Sequence, residues 1–232
     1  MEETNKKSWA ALLVEVLTSP GAAFKEIAEN PRFGAAAVTL TVINFVFAAL
    51  TIPKVREFTL LTLENTPGLS PEDIEAASAF GGGLAVGGTV LAAIIVPWVM
   101  WLVIATLMKI FAAISTKEAP FGTLFAVGVY GYVPAVIGGI ISSILVLNTA
   151  VENIKNVSIS LAVFSSAESG FLYHFLTACN PFTWWSLILW GIGAAAVMKV
   201  KRPTGVIIYL FGLWLVFALI IGAVGLLNVP AY

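Results

Sequence analysis

One cysteine, one histidine and 11% charged residues are all that this 232-residue chain offers to polar chemistry. A single thiol, Cys179, excludes an internal disulfide and any multi-cysteine metal site. Next to a membrane it reads as a small apolar residue at a helix start. The only histidine, His174, has no second imidazole at helical metal spacing. It also lacks a nucleophile and an orienting acid at recognisable spacing. No catalytic residue, metal site or cofactor is therefore expected. None of the 13 acidic residues lies inside an apolar run long enough to cross a bilayer. That weighs against proton- and cation-coupled pumps, which rely on intramembrane Asp, Glu or His, though not against a passive path. The basic residues are too scattered to form a nucleic-acid stripe. The first 30 residues carry no clean apolar stretch with a cleavage site, so a signal peptide is not expected. The two longest polar stretches, 54–81 and 148–170, are too short to fold as soluble domains.

What the chain has in abundance is apolar surface. Hydrophobic residues make up 59% and the mean hydropathy is +0.96, more than a soluble domain of this size can hide. A helix needs about 20 apolar residues to cross a hydrocarbon core. Five runs qualify, at about 34–53, 82–108, 121–147, 177–198 and 204–227. The fold class is thus all-α, a polytopic bundle of five transmembrane helices. Basic residues flank the runs unevenly. Lys6, Lys7, Lys25, Arg32, Lys109, Lys117, Lys199, Lys201 and Arg202 fall on one side, and only Lys54, Arg56 and Lys155 on the other. The positive-inside rule puts the N-terminus in the cytoplasm and the C-terminus outside. Residues 1–33 are then a cytoplasmic segment, 34–227 the membrane domain, and 228–232 an outer tail.

Before the first span, Trp9, Leu12, Leu13, Val16 and Leu17 recur at helical spacing and make one apolar face. Ser19 reads as the cap of a second short helix with Pro20 at its first position, Phe24, Ile27 and Ala28 on its apolar face, and Pro31 at its stop. This N-terminal amphipathic segment either lies in the headgroup plane or packs beneath the bundle. Ser70-Pro71-Glu72-Asp73 starts an outer helix, expected to end at Gly81–Gly83. Pro97 and Pro134 each remove an intrahelical hydrogen bond and are expected to kink spans 2 and 3. Tyr130 and Tyr132 bring hydroxyls to the second kink, on different helix faces. Asn44, the one amide well inside a span, suits a hydrogen bond between helices. Alternating Val157, Ile159, Leu161 and Val163 look strand-like, but a lone strand has unsatisfied edges in lipid, so 148–170 reads as an ordered external loop. Asn180 then caps span 4, with Pro181 at its first position and Trp184 and Trp185 as an interfacial belt.

Three segments carry a family resemblance: LTSPGAAFKEIAENPRFGAAAV at 17–38, APFGTLFAVGVYGYVPAVIGGI at 119–140, and NPFTWWSLILWGIGAAAVMKVKR at 180–202. Together they resemble the Yip family, membrane proteins named for interaction with Rab-type GTPases. Pro134, Pro181, Phe182 and Trp185 match the family pattern. The resemblance implies five spans, a cytoplasmic N-terminus and an outward C-terminus, in agreement with the distribution of basic residues. It implies no catalytic residue. Eukaryotic relatives carry a long cytoplasmic N-terminal region, whereas this chain has about 33 residues there. That points to a short prokaryotic-type member in the plasma membrane.

Two functional readings follow. The first is a non-enzymatic membrane-organising or trafficking scaffold that uses the N-terminal segment. Its partners would be the bilayer, a protein at the cytoplasmic face and further copies of itself, not nucleic acid. The alternative is a passive transporter, channel or lipid-handling protein with a pocket between spans 2, 3 and 4. Pro97, Tyr130, Tyr132 and Pro134 are its candidate lining residues, with Pro181, Phe182 and Trp185 as family-motif positions on span 4. An intramembrane enzyme comes third, for want of a catalytic pair.

Overall fold

Long apolar runs surrounded by lipid have one economical backbone solution, because a helix satisfies its own N–H and C=O groups without water. The computed structural model describes residues 7–166 and 169–227, and among them it is helical with no strand. Lys6, Glu168 and the expected outer tail 228–232 lie outside the described residues. The order is α1 (Trp9–Thr18), α2 (Pro20–Glu29), α3 (Gly34–Glu64), α4 (Pro71–Ile114), α5 (Phe121–Tyr130) and α6 (Val133–Asn148). Two short 3-10 turns, Val151–Asn156 and Leu161–Phe164, come next, then α7 (Gly170–Ala178), α8 (Pro181–Val197) and α9 (Thr204–Gly225). The strand-like 157–163 stretch is therefore loop and turn, as its unsatisfiable edges required.

Among the described residues, four stretches are long and apolar enough to cross a membrane: Gly34–Glu64, Val86–Ile114, Phe121–Asn148 and Thr204–Gly225. The remaining apolar run is α8, with 17 residues, about 26 Å at the helical rise. Polar side chains on the long helices turn back on their own backbone. Thr41, Thr59 and Thr106 donate to the carbonyls of Ala37, Val55 and Leu102 at 2.8–2.9 Å, so their hydroxyls do not face lipid unpaired.

Helix starts follow their local signals. Ser70 and Asp73 form a reciprocal capping box. The hydrogen bonds from Ser70 hold the Asp73 carboxyl below the usual carboxylate range. Asn180 Oδ1 accepts from Phe182 N at 2.9 Å, with Pro181 at the first position. Ser8 caps α1 through Ala11 N. Ser19, expected to cap α2, makes no side-chain cap bond; Pro20 alone marks that start.

Several helix bounds differ from the sequence expectation. α3 runs past position 53, through Pro53, to Glu64. α4 does not stop at Gly81–Gly83 but continues as one helix of 44 residues into the second apolar run. Glycine costs a helix only about 1 kcal/mol, less than freeing a turn of backbone beside lipid. Span 3 is two helices parted at Gly131–Tyr132, and Pro134 sits in the first turn of the second, where its missing N–H costs nothing. The start of the expected fourth span, from position 177, belongs to the end of α7, a separate helix packed on α9 through Phe171 and His174. Two turns are closed by left-handed residues other than glycine, Thr116 (φ 53°) and Lys199 (φ 52°). The bonds Lys117 N to Ala112 O and Val200 N to Ala195 O complete these helix ends.

The third run is the centre of the molecule. It is 67% buried, against 22% for each of the other three candidate spans, and every residue of α5 from Thr123 to Tyr130 is buried. α3 and α9 turn valines, leucines, isoleucines and phenylalanines outward, as lipid-facing helices do. The apolar faces of α1 and α2 go to protein: Leu12 and Val16, then Ala23, Phe24 and Ile27, are buried in the core. Phe24 lies so close to Gly193 of α8 that a Cβ there would meet its Cδ1 at 2.8 Å. Phe24→Ala should cost about 3 kcal/mol through the cavity left behind and release α1–α2. Thermal unfolding with hydrogen exchange over 9–29 reads this, and unchanged protection would refute the docking.

Candidate functional site

A cleft of about 440 Å³ lies between α3, α4 and α6. α3 contributes Ile43, Asn44, Phe47 and Ala48; α4 contributes Thr89, Ala92, Ala93, Val96 and Pro97. Tyr132, Gly139, Ile140 and Ser143 complete it. The expected pocket between spans 2, 3 and 4 is thus displaced by one helix, since α3 and not α8 forms the third wall. Contacts cannot be read from kinks, because a proline marks where a helix changes and not which neighbour faces it.

An aromatic cluster adjoins the cleft through Tyr132. Trp98 Nε1 donates to Thr41 Oγ1 at 3.0 Å and ties α4 to α3. The Trp98 ring lies 5.2 Å from that of Trp101, which meets Tyr132 edge-on at 5.9 Å and Phe125 at 6.3 Å. Such offset geometries are the favourable ones for aromatic pairs. Asn44 reaches the cleft with its Nδ2 buried and without a hydrogen-bond partner. The expected interhelical bond from Asn44 is not made by that atom.

The remaining candidate positions separate by role. Pro97 and Tyr132 line the cleft. Tyr130 does not: its hydroxyl donates to the Arg32 carbonyl at 2.8 Å, across to the segment joining α2 and α3. It lines a second cavity of about 270 Å³ with Lys7, Trp9, Glu26 and Arg32. The two tyrosines therefore do face different ways, as their two-residue spacing demands. Pro134 is buried, with no place in the cleft. Phe182 packs on Gly138 of α6, Pro181 begins α8, and Trp185 is 38% exposed. These positions set helix starts and contacts. Among the described residues no group of His, Cys, Asp and Glu could hold a metal ion. A third cavity, about 500 Å³, lies between α2 and the turn after α8 and gathers Lys25, Glu29, Lys199 and Lys201. Sequence reading missed it, because its lysines come from distant segments.

A helical bundle with lipid-facing aliphatic flanks and a buried third run defines an integral, multi-pass membrane protein. Within that class the chain belongs to the Yip1 domain family, which matches residues 14–224. It is of the prokaryotic type, and similar to membrane protein YknW of Bacillus subtilis (strain 168). The two are 26% identical over 219 residues, which cover 91% of this chain and 90% of that one. No solved structure matches.

Tyr130→Phe removes one neutral hydrogen bond to the α2–α3 segment. It should cost about 1 kcal/mol and raise amide exchange around Phe33–Ala36, leaving the α3–α4–α6 cleft unchanged. A melting temperature and exchange pattern equal to wild type would show that the bond holds nothing in place.

Proposed function

We propose that this protein is a non-enzymatic membrane scaffold. In this reading α8 is the fifth span, residues 34–227 are the membrane domain, and residues 1–33 lie on the cytoplasmic side of the plasma membrane. The docking of α1–α2 carries the reading. α2 packs on α8 and α5, and α1 on α3, α5 and α6, with Leu12, Val16, Phe24 and Ile27 buried, so the pair is a fixed platform of the bundle and not a helix free to wedge into headgroups. Lys7, Lys25 and Glu29 remain exposed on it, and Trp9 and Val14 keep 39% and 63% of their surface open. An exposed tryptophan and an exposed valine suit a protein partner better than water. The same platform would allow a second copy to dock.

Two measurements test this. First, cysteines placed at 25, 117 and 201 should react with membrane-impermeant reagent only from the cytoplasmic side, and one at 155 only from outside. Reactivity of position 201 from outside would overturn both the orientation and the five-span count. Second, Trp9→Ala with Val14→Ser should lower crosslinking of a reproducible partner by about tenfold, with the melting temperature unchanged. Equal crosslinking in the double variant would remove the platform as the recruiting surface.

A second reading is supported by the cleft itself. Its volume falls in the range of small-molecule sites, and it is mostly apolar with a few polar groups. This favours a lipid-handling role carried out within the membrane.

A further inference from the structure

The α3–α4–α6 cleft contains more hydrogen-bonding capacity than its own walls use. Asn44 brings a donor: Nδ2 is buried and has no partner. Ala93 brings an acceptor. The residue four positions on is Pro97, which has no N–H, so the helix bond that the Ala93 carbonyl would receive from there is missing. Both residues line the cleft, on facing helices. Ser143 and Tyr132 add hydroxyls to the same walls. The rest of the lining is apolar, chiefly Ile43, Phe47, Val96 and Ile140. Unmade hydrogen bonds are expensive where no water competes, so the cleft favours an occupant that makes them.

The chemistry narrows the occupant. No Lys, Arg, Asp or Glu lines the cleft, so a carboxylate, phosphate or ammonium would enter without a counter-charge. A hydrocarbon would leave Asn44 as it is. A hydroxyl fits, because it accepts from an amide N–H and donates to a carbonyl through one oxygen. Val96, 48% exposed, stands at the rim, so the opening is on the lipid-facing flank and not at either end of the bundle. We infer that the cleft binds a neutral, hydroxyl-bearing apolar molecule that enters sideways from the bilayer, held between Asn44 Nδ2 and the Ala93 carbonyl. This rests on the lipid-handling reading above and gives that role a ligand class.

The test uses the full chain in nanodiscs and two photoreactive probes of equal length, a diazirine-bearing hexadecanol and the corresponding hexadecane. The alcohol should label peptides spanning 41–48, 89–97 or 139–143 about tenfold more than the alkane, and excess unlabelled hexadecanol should compete. Asn44→Leu should reduce alcohol labelling to the alkane level. Asn44→Ser, which keeps a donor, should restore part of it, so that loss of fold is not mistaken for loss of recognition. Gly139→Leu should block both probes by filling the cleft. A Cβ at Gly139 meets only Asn44 Oδ1, at 3.9 Å, so the backbone accepts it. Equal labelling by both probes, with Gly139→Leu reducing each, would overturn hydroxyl recognition and leave lipid handling standing. Labelling by both probes that is indifferent to Gly139→Leu would overturn the two together.

Discussion

The seat of Trp190 on α5 is the contact on which the rest of the bundle depends. Its indole Nε1 donates to the Gly128 carbonyl at 3.0 Å, and its ring lies against Gly131 where any Cβ would collide with it. One side chain thereby satisfies a buried donor, fills the space between α5 and α8, and requires the missing side chain at the break in span 3. Close approach of these two helices buries α5 on all sides. It also creates the floor onto which Phe24 and Ile27 fold.

That floor changes the meaning of the N-terminal segment. An amphipathic helix outside a membrane protein has two apolar destinations, headgroups or protein, and the pattern of Leu12, Val16, Phe24 and Ile27 is the same for both. The choice is made by the partner surface. Gly193, with its backbone open toward Phe24, is the complementary feature, and it lies some 170 positions further along the chain. The Lys7–Glu15 ion pair and the Lys7 N–H to Glu26 bond then lie on the outside of the docked pair. The side chains of that ion pair keep 42% and 19% of their surface, whereas the aromatic ring of Phe24 is fully buried.

Features with local causes were legible in the sequence. Ser70 with Asp73, Asn180 with Pro181, and the break before Pro20 are settled within one turn of chain, and the structure has each of them. The expectations that failed treated local penalties as decisive. Gly81–Gly83 weaken a helix by only about 1 kcal/mol per residue, which the continuous α4 tolerates, and the end of the first apolar run at 53 was an end of hydrophobicity, not of helix. α7 was not anticipated: its nine residues are mostly apolar like the span that follows, and nothing local shows that they pack on α9 as a separate helix. For the cleft, Pro97 and Tyr132 were found through their chemistry. Asn44 was noticed but given to a neighbouring helix, and Ala93 could not be singled out, since its part comes from the proline four residues later. Which helix closes the third side is a matter of topology that no motif encodes.

The length of α4 has a mechanical consequence. At the helical rise its 44 residues span about 66 Å, roughly twice the thickness of a hydrocarbon core. α3, at 31 residues, reaches about 46 Å. The two are packed together and joined by the short turn between Glu64 and Pro71. They make a paired extension, one part of which supplies two walls of the cleft while the turn between them lies at its far end. Leverage follows from that continuity. The turn at 65–70 and the cleft residues Ala48 and Thr89 thus lie on the same two continuous helices, so a displacement of that turn is carried along them toward the cleft.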